Sequence, residues 1–149
     1  MPVRVDHGVT SGTFTLDGET FDVDNNVWVI GDDTECIVID APHSVDGILA
    51  VTADRKVKAI VCTHAHDDHV RAAPALRAET AAPILLHPDD RPLWELTHGG
   101  PGATGRSYSD RPTLEASIRA KLFTLPDDTI VHTGHGQDTT TGAEKALLG

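Results

Sequence analysis

An apolar run over residues 57–62, VKAIVC, passes almost directly into His64-Ala65-His66-Asp67-Asp68-His69. Six mostly apolar residues bounded by polar ones read as a buried strand. In α/β proteins, ligands gather beyond the carboxyl ends of such strands. Three imidazoles and two carboxylates at that place restrict the chain to folds that present a strand end as a reactive surface. A solvated polar turn is the plainer alternative, and histidine at these offsets argues against it.

Alternating β and α signals surround this junction. Residues 11–23 predict a hairpin about Asp17 and Gly18, and residues 27–30 and 36–39 predict adjacent strands joined by GDDT. Ser44 is placed to cap a helix running to about Ala53, and residues 72–80 predict a further helix. A short strand over 83–86 and a helix over 88–96, with Pro92 in its first turn, come next. Beyond the glycine-rich GGPGATGRSYSD, residues 113–122 read as a helix with Leu114, Ile118 and Leu122 four apart. A last strand over 129–132 and a short helix over 141–148 complete an α/β domain, expected to be a single one over residues 1–149.

Composition narrows the function classes. With 12 basic and 23 acidic residues the formal charge is -11, which repels a phosphate backbone, so no nucleic-acid partner is expected. The N-terminal residues lack an apolar export segment and no run of ~18 apolar residues occurs, so no membrane partner is expected and the cytoplasm is the expected location. Cys36 and Cys62 each sit in an apolar run, which reads as reduced core thiols.

In an extended segment His64 and His66 project to the same side, while Asp68 and His69 follow on a turn and can face a neighbouring point. Imidazole nitrogen and carboxylate oxygen suit zinc at ~2.0–2.2 Å, and two ions ~3.5–4 Å apart can share such a segment. Thr63-His64-Ala65-His66-Asp67-Asp68-His69 resembles the T-H-x-H-x-D-H signature of the metallo-β-lactamase fold hydrolases. That resemblance implies an αββα sandwich. It assigns His64 and His66 to a first metal, Asp68 and His69 to a second, and His135 of Thr133-Gly134-His135-Gly136 also to the second. It further implies a metal-dependent hydrolase using zinc, with iron or manganese as alternatives, and Asp68 as a catalytic carboxylate; Asp67 is the variable position of the motif. The nearest texture is that of the glyoxalase II-like thioester hydrolases, so the implied substrate is an acyl conjugate of a small thiol such as glutathione or mycothiol.

Two family segments are missing. Neither the T-P-G-H segment with a third histidine for the first metal nor the G-D-T-L-F segment with a bridging aspartate occurs. An internal deletion at about His98/Gly99 is inferred, leaving an incomplete sandwich without inner strands of its second half. Exposed sheet edges would then invite homo-oligomers. The first metal keeps two protein ligands and the second keeps Asp68, His69 and His135, so one or two zinc ions are expected, a single one being placed on the latter set. The alternatives are a catalytically impaired remnant binding at most one metal, or a lactonase or β-lactamase of the same fold. His98 is a weak substitute ligand; His87 is expected to be a cap or a surface turn residue, His7 and His43 to be exposed, and support of His135 is the minor reading of His132.

Residues 100–107 nearly spell a phosphate-binding loop, but no strand precedes them and Arg106 stands where lysine belongs. A glycine-rich active-site loop is the better reading. Arg106 and Tyr108 are its candidates for holding a substrate carboxylate or amide, with a solvated loop arginine the equal alternative.

Overall fold

The predicted hairpin extends well beyond its turn. Strands β1 (Arg4–Leu16) and β2 (Glu19–Gly31) are each 13 residues long and pair antiparallel throughout. Asp17 and Gly18 between them have φ of 49° and 87°, the left-handed pair that matches strand twist in a two-residue turn. β2 then turns through Asp32 into β3 (Glu35–Ile39). The Asp32 carboxylate accepts from Thr34 N and Oγ1 at 2.8 Å and from Glu35 N at 2.9 Å, and these bonds, that from Glu35 foremost, pull its pKa down to about 2.

This computed structural model describes residues 2–99 and 110–149, and the chain falls into two compact units, Met1–Arg106 and Ser107–Gly149. The first unit holds a mixed five-stranded sheet in the order β1-β2-β3-β4-β5. β4 (Lys56–Val61) lies parallel to β3 and to β5 (Ile84–Leu85), so helices make the crossovers. α1 (Val45–Thr52) is capped by Ser44, whose Oγ accepts from Gly47 N at 3.1 Å, and ends at Ala53, where φ is 53° and the N–H donates to Leu49 O. The motif forms a single helical turn, α2 (Asp67–Val70), where the sequence suggested only a turn, and α3 (Ala73–Thr80) follows. Val27, Val29, Val38, Ile48, Ile60, Val70 and Leu76 are all 0% exposed and form an aliphatic core beneath these helices. As expected, Cys36 and Cys62 are buried free thiols within it.

The segment after β5 is tighter than the single helix read from the sequence. A 3₁₀ turn over Pro88–Asp90, capped by His87 Nδ1 accepting from Asp89 N at 3.2 Å, precedes α4 (Arg91–His98). His87 is thus the cap that was expected.

The second unit carries α5 (Arg111–Ser117), capped by Asp110 accepting from Thr113 N at 3.1 Å. The helix continues as a π turn over Ile118–Leu122, closed by Phe123 N donating to Ile118 O at 3.0 Å. Its sheet consists of β6 (Ile130–Val131) and β7 (Thr139–Thr140), followed by α6 (Thr141–Leu148). So short a sheet agrees with missing inner strands in the second half. Leu114 and Leu122 stay 59% and 49% exposed, and an apolar cavity of about 290 Å³ opens beside Ile118, Phe123, Val131 and Leu148. No described helix is long and apolar enough to cross a membrane.

Candidate metal centre

Parallel pairing of β3 and β4 sets Ile39 beside Val61, so the two strands release their C-terminal residues side by side. Asp40 follows β3 with φ of 64° and is 4% exposed, and Asp40 N donates to Val61 O at 2.8 Å. Asp tolerates this left-handed conformation better than most residues. From it the carboxylate reaches the motif: Oδ1 accepts from Thr63 N at 2.7 Å, and Oδ2 accepts from Thr63 Oγ1 at 2.9 Å and from His69 Nδ1 at 2.8 Å.

These bonds dictate tautomers. A carboxylate only accepts, so neutral His69 carries its proton on Nδ1 and presents the Nε2 lone pair. The single hydroxyl proton of Thr63 goes to Asp40, so Thr63 Oγ1 accepts from His64 Nδ1 at 3.0 Å, and His64 likewise presents Nε2. Burial pushes the His64 pKa down to about 4, helped by the neighbouring His69 and His66, which keeps the imidazole neutral in the form that binds metal.

The motif residues of the first unit come together. The His64 ring lies 4.8 Å from that of His66 and 4.1 Å from that of His69, centroid to centroid. His66, the residue before α2, also has Phe14 at 5.5 Å. Asp68 is 2% exposed, and its Oδ2 lies 3.3 Å from His69 Nε2 and accepts from Asn25 Nδ2 at 3.0 Å. Two acceptors at 3.3 Å repel unless a proton or a cation stands between them. Burial lowers the His69 pKa, but the Asp40 hydrogen bond and the charges of Asp40, Asp68 and Asp67 outweigh it, and the net direction is upward. The donor set, three imidazoles and a buried carboxylate, fits a borderline divalent ion such as zinc.

Neighbouring groups hold the cluster in place. Arg71 Nη2 donates to Asp67 Oδ2 at 2.6 Å while Nη1 donates to Thr13 Oγ1 at 3.2 Å, and Thr15 N donates to Asp67 at 3.4 Å. Asp67 therefore ties the motif to β1. Asp90 Oδ2 accepts from Ala65 N at 3.0 Å and pins the loop from the other flank.

His135 lies in the second unit, exposed in the loop between β6 and β7, where Thr133 Oγ1 donates to its carbonyl at 2.9 Å. His132 pairs with Asp138 at 2.8 Å. His98 is on α4, its ring tilted against that of Trp94 at 4.3 Å, with its Nε2 donating to Val70 O at 3.1 Å. Arg106 and Tyr108 lie outside the described residues. The expectation for His7 holds: it is exposed on β1 and lies over Trp28. That for His43 is corrected: it is half-buried, with Nε2 bonded to Asn25 Oδ1 at 2.8 Å, because the left-handed turn after β3 folds the ring back onto the sheet. Sequence reasoning also passed over Asn25. Its one signal was a polar pair, Asn25-Asn26, at the head of an apolar strand.

Comparison with known proteins bears on the family and the fold. An uncharacterized 11.5 kDa protein of Rhodococcus erythropolis is 44% identical over 104 residues, covering 70% of this chain and 87% of that one. A hydroxyacylglutathione hydrolase of Nitrosomonas eutropha is 28% identical over 111 residues, covering 73% of this chain and 41% of the enzyme, so the match spans less than half the relative's length. Among solved structures, TTHA1623 in a di-iron-bound form superposes with a TM-score of 0.70 at 24% identity, covering 83% of this chain and 93% of that one. The B3 metallo-β-lactamase BLEG-1 superposes with a TM-score of 0.68 at 22% identity, covering 92% and 97%. Residues 20–143 match the family model of the metallo-beta-lactamase superfamily. With that match over most of its length, the chain belongs to the metallo-β-lactamase superfamily.

Proposed function

We propose that this chain is a metal-dependent hydrolase acting on acyl thioesters of a small thiol of the glutathione or mycothiol class, with zinc as its ion and the cytoplasm as its place of work. The observation that carries the reading is the cluster of half-buried His64 and His66 with buried Asp68 and His69 beyond the ends of β3 and β4, with two imidazoles held as Nδ1–H tautomers. Similarity to hydroxyacylglutathione hydrolases supports the substrate class. When bound, such an ion supplies Lewis acidity toward an acyl carbonyl and activates water. The chain's own part is to keep His64 neutral, orient His64 and His69 through Thr63 and Asp40, and exclude water from Asp68. His135 is proposed as a further ligand, and Arg106 and Tyr108 as groups that hold the substrate.

A second reading is favoured by one fact of the sequence. Neither T-P-G-H nor G-D-T-L-F is present, so a deletion at about His98/Gly99 would leave a remnant that binds at most one metal without turnover. The test is zinc per chain by elemental mass spectrometry on protein of verified mass, followed by hydrolysis assays in parallel: thiol release from an acyl-thiol, acid release from a lactone and the colour change of a chromogenic β-lactam. Thioester turnover that is lost in His66→Ala and restored by zinc to metal-stripped wild type is the expected result. Zinc at or below one per chain with no turnover would establish the remnant, and turnover confined to lactone or β-lactam would overturn the substrate class.

A further inference from the structure

Asn25 is 0% exposed in the middle of β2, a position where an aliphatic residue would pack as well and cost less. Both ends of its amide are used. Asp68 can only accept, so the amide nitrogen faces it at 3.0 Å, and the amide oxygen is thereby aimed at His43 Nε2 at 2.8 Å. His43 must then carry its proton on Nε2. Its Nδ1 is buried and has no hydrogen-bond partner among the described residues. A ring held with one nitrogen unsatisfied is placed for the bond made by the other.

The surroundings fix that ring as closely as the bond does. His43 sits in the left-handed region at φ 52°, and Thr10 Oγ1 donates to Pro42 O at 3.2 Å just before it. On β1, Gly12 leaves room for the ring: a Cβ there would stand 2.2 Å from His43 Nδ1. Strand, turn and glycine thus converge on one orientation, and the chain of bonds that they support ends on Asp68.

We propose that Asn25 and His43 are positioning residues for the metal centre, the His43–Asn25 pair holding the plane of the Asp68 carboxylate so that it faces the His69 side of the cluster. This rests on reading Asp68 as a ligand. Partners of this kind set the orientation of a ligating carboxylate, and their loss typically weakens metal binding by about 10–100-fold.

The test measures zinc affinity of metal-stripped protein by competition with a chromogenic chelator, and the visible absorption bands of the cobalt-loaded form. Asn25→Leu and His43→Leu are expected to weaken zinc by about 10–100-fold and to alter the cobalt bands. His43→Gln, whose amide N–H can donate to Asn25 Oδ1, is expected to recover most of the affinity. Gly12→Ala, which removes no polar group, is expected to follow His43→Leu by displacing the ring. Should Asn25→Leu fail to fold, the contrast between His43→Leu and His43→Gln decides. Wild-type binding with equal affinity and bands in folded His43→Leu and Gly12→Ala would overturn the inference alone, whereas wild type that binds neither ion would remove the metal-centre reading beneath it.

Discussion

Replacing Asp40 by Asn isolates the orienting bond of the centre. Asn tolerates the left-handed φ of 64° and matches the carboxylate in shape, so backbone strain and cavity formation stay out of the comparison. What changes is the acceptor inventory. Asp40 accepts from Thr63 N, Thr63 Oγ1 and His69 Nδ1, and an amide cannot serve all three. If the amide oxygen stays on Thr63 N, its NH₂ faces His69 Nδ1, and the imidazole must move its proton to Nε2, the nitrogen that faces Asp68. That blocks the lone pair a metal needs. If the amide flips, the Thr63 N–H loses its acceptor instead. Loss of one charge-assisted bond costs about 1.5–3 kcal/mol of stability. Misorientation of the ligand costs about 10–100-fold in zinc affinity, equivalent to about 1.4–2.7 kcal/mol. Chelator competition on metal-stripped protein, with urea unfolding alongside, reads both. Folded Asp40→Asn that binds zinc as tightly as wild type would refute the tautomer argument.

Other consequences are independent of metal. Leu76→Ala removes a fully buried side chain of α3 from the aliphatic core and should cost about 2–5 kcal/mol by denaturant unfolding. Native protein should react with a thiol reagent only as fast as it opens, since Cys36 and Cys62 are buried and burial pushes the Cys62 thiol up to about 12; rapid labelling of either thiol in buffer would contradict this. Asp32 has a depressed folded-state pKa, so its contribution is present above the usual carboxylate range and is lost as pH falls through about 2. Melting temperatures of wild type and Asp32→Asn should therefore differ at pH 6 and draw together as the pH falls toward 2.

How much of this was legible in the sequence follows from the range of each interaction. The Asp17–Gly18 turn, the Ser44 cap and the α6 span depend on residues within a few positions of one another, and all were readable. The π turn at Ile118–Leu122 was not, because Leu114, Ile118 and Leu122 keep a regular spacing of four that says nothing of a widened ladder. At the centre, His64, His66, Asp68 and His69 declared themselves by crowding. The groups that orient them did not: Asp40 is 29 residues from His69, Asn25 is 43 from Asp68, and His43 is 18 from Asn25. His43 was misread as exposed for that reason, since only the pairing of β1 with β2 and the turn after β3 bring its ring to Asn25. Chemistry-bearing residues can be counted along a chain, but the tautomer each one adopts is set by a partner that the sheet supplies.

The carboxylates near the motif divide their labour, and the division yields a prediction about metal removal. Asp67 is answered by Arg71, and Asp90 holds the Ala65 amide. Asp40 and Asp68 flank opposite nitrogens of one imidazole with side chains only 6% and 3% exposed. Two acidic groups that share one imidazole out of reach of water are balanced by a proton on that ring only in part, whereas a divalent cation supplies a second charge at the point where they converge. Metal that binds the folded chain alone must then stabilise it by mass action, about 2.7 kcal/mol at a free concentration 100 times the Kd. Thermal unfolding should shift upward with zinc in proportion to the logarithm of its free concentration and return on adding a chelator, and the shift should be absent in His69→Ala. A melting temperature indifferent to zinc and chelator across that range would mean that the proton suffices and that the cluster is not a metal centre.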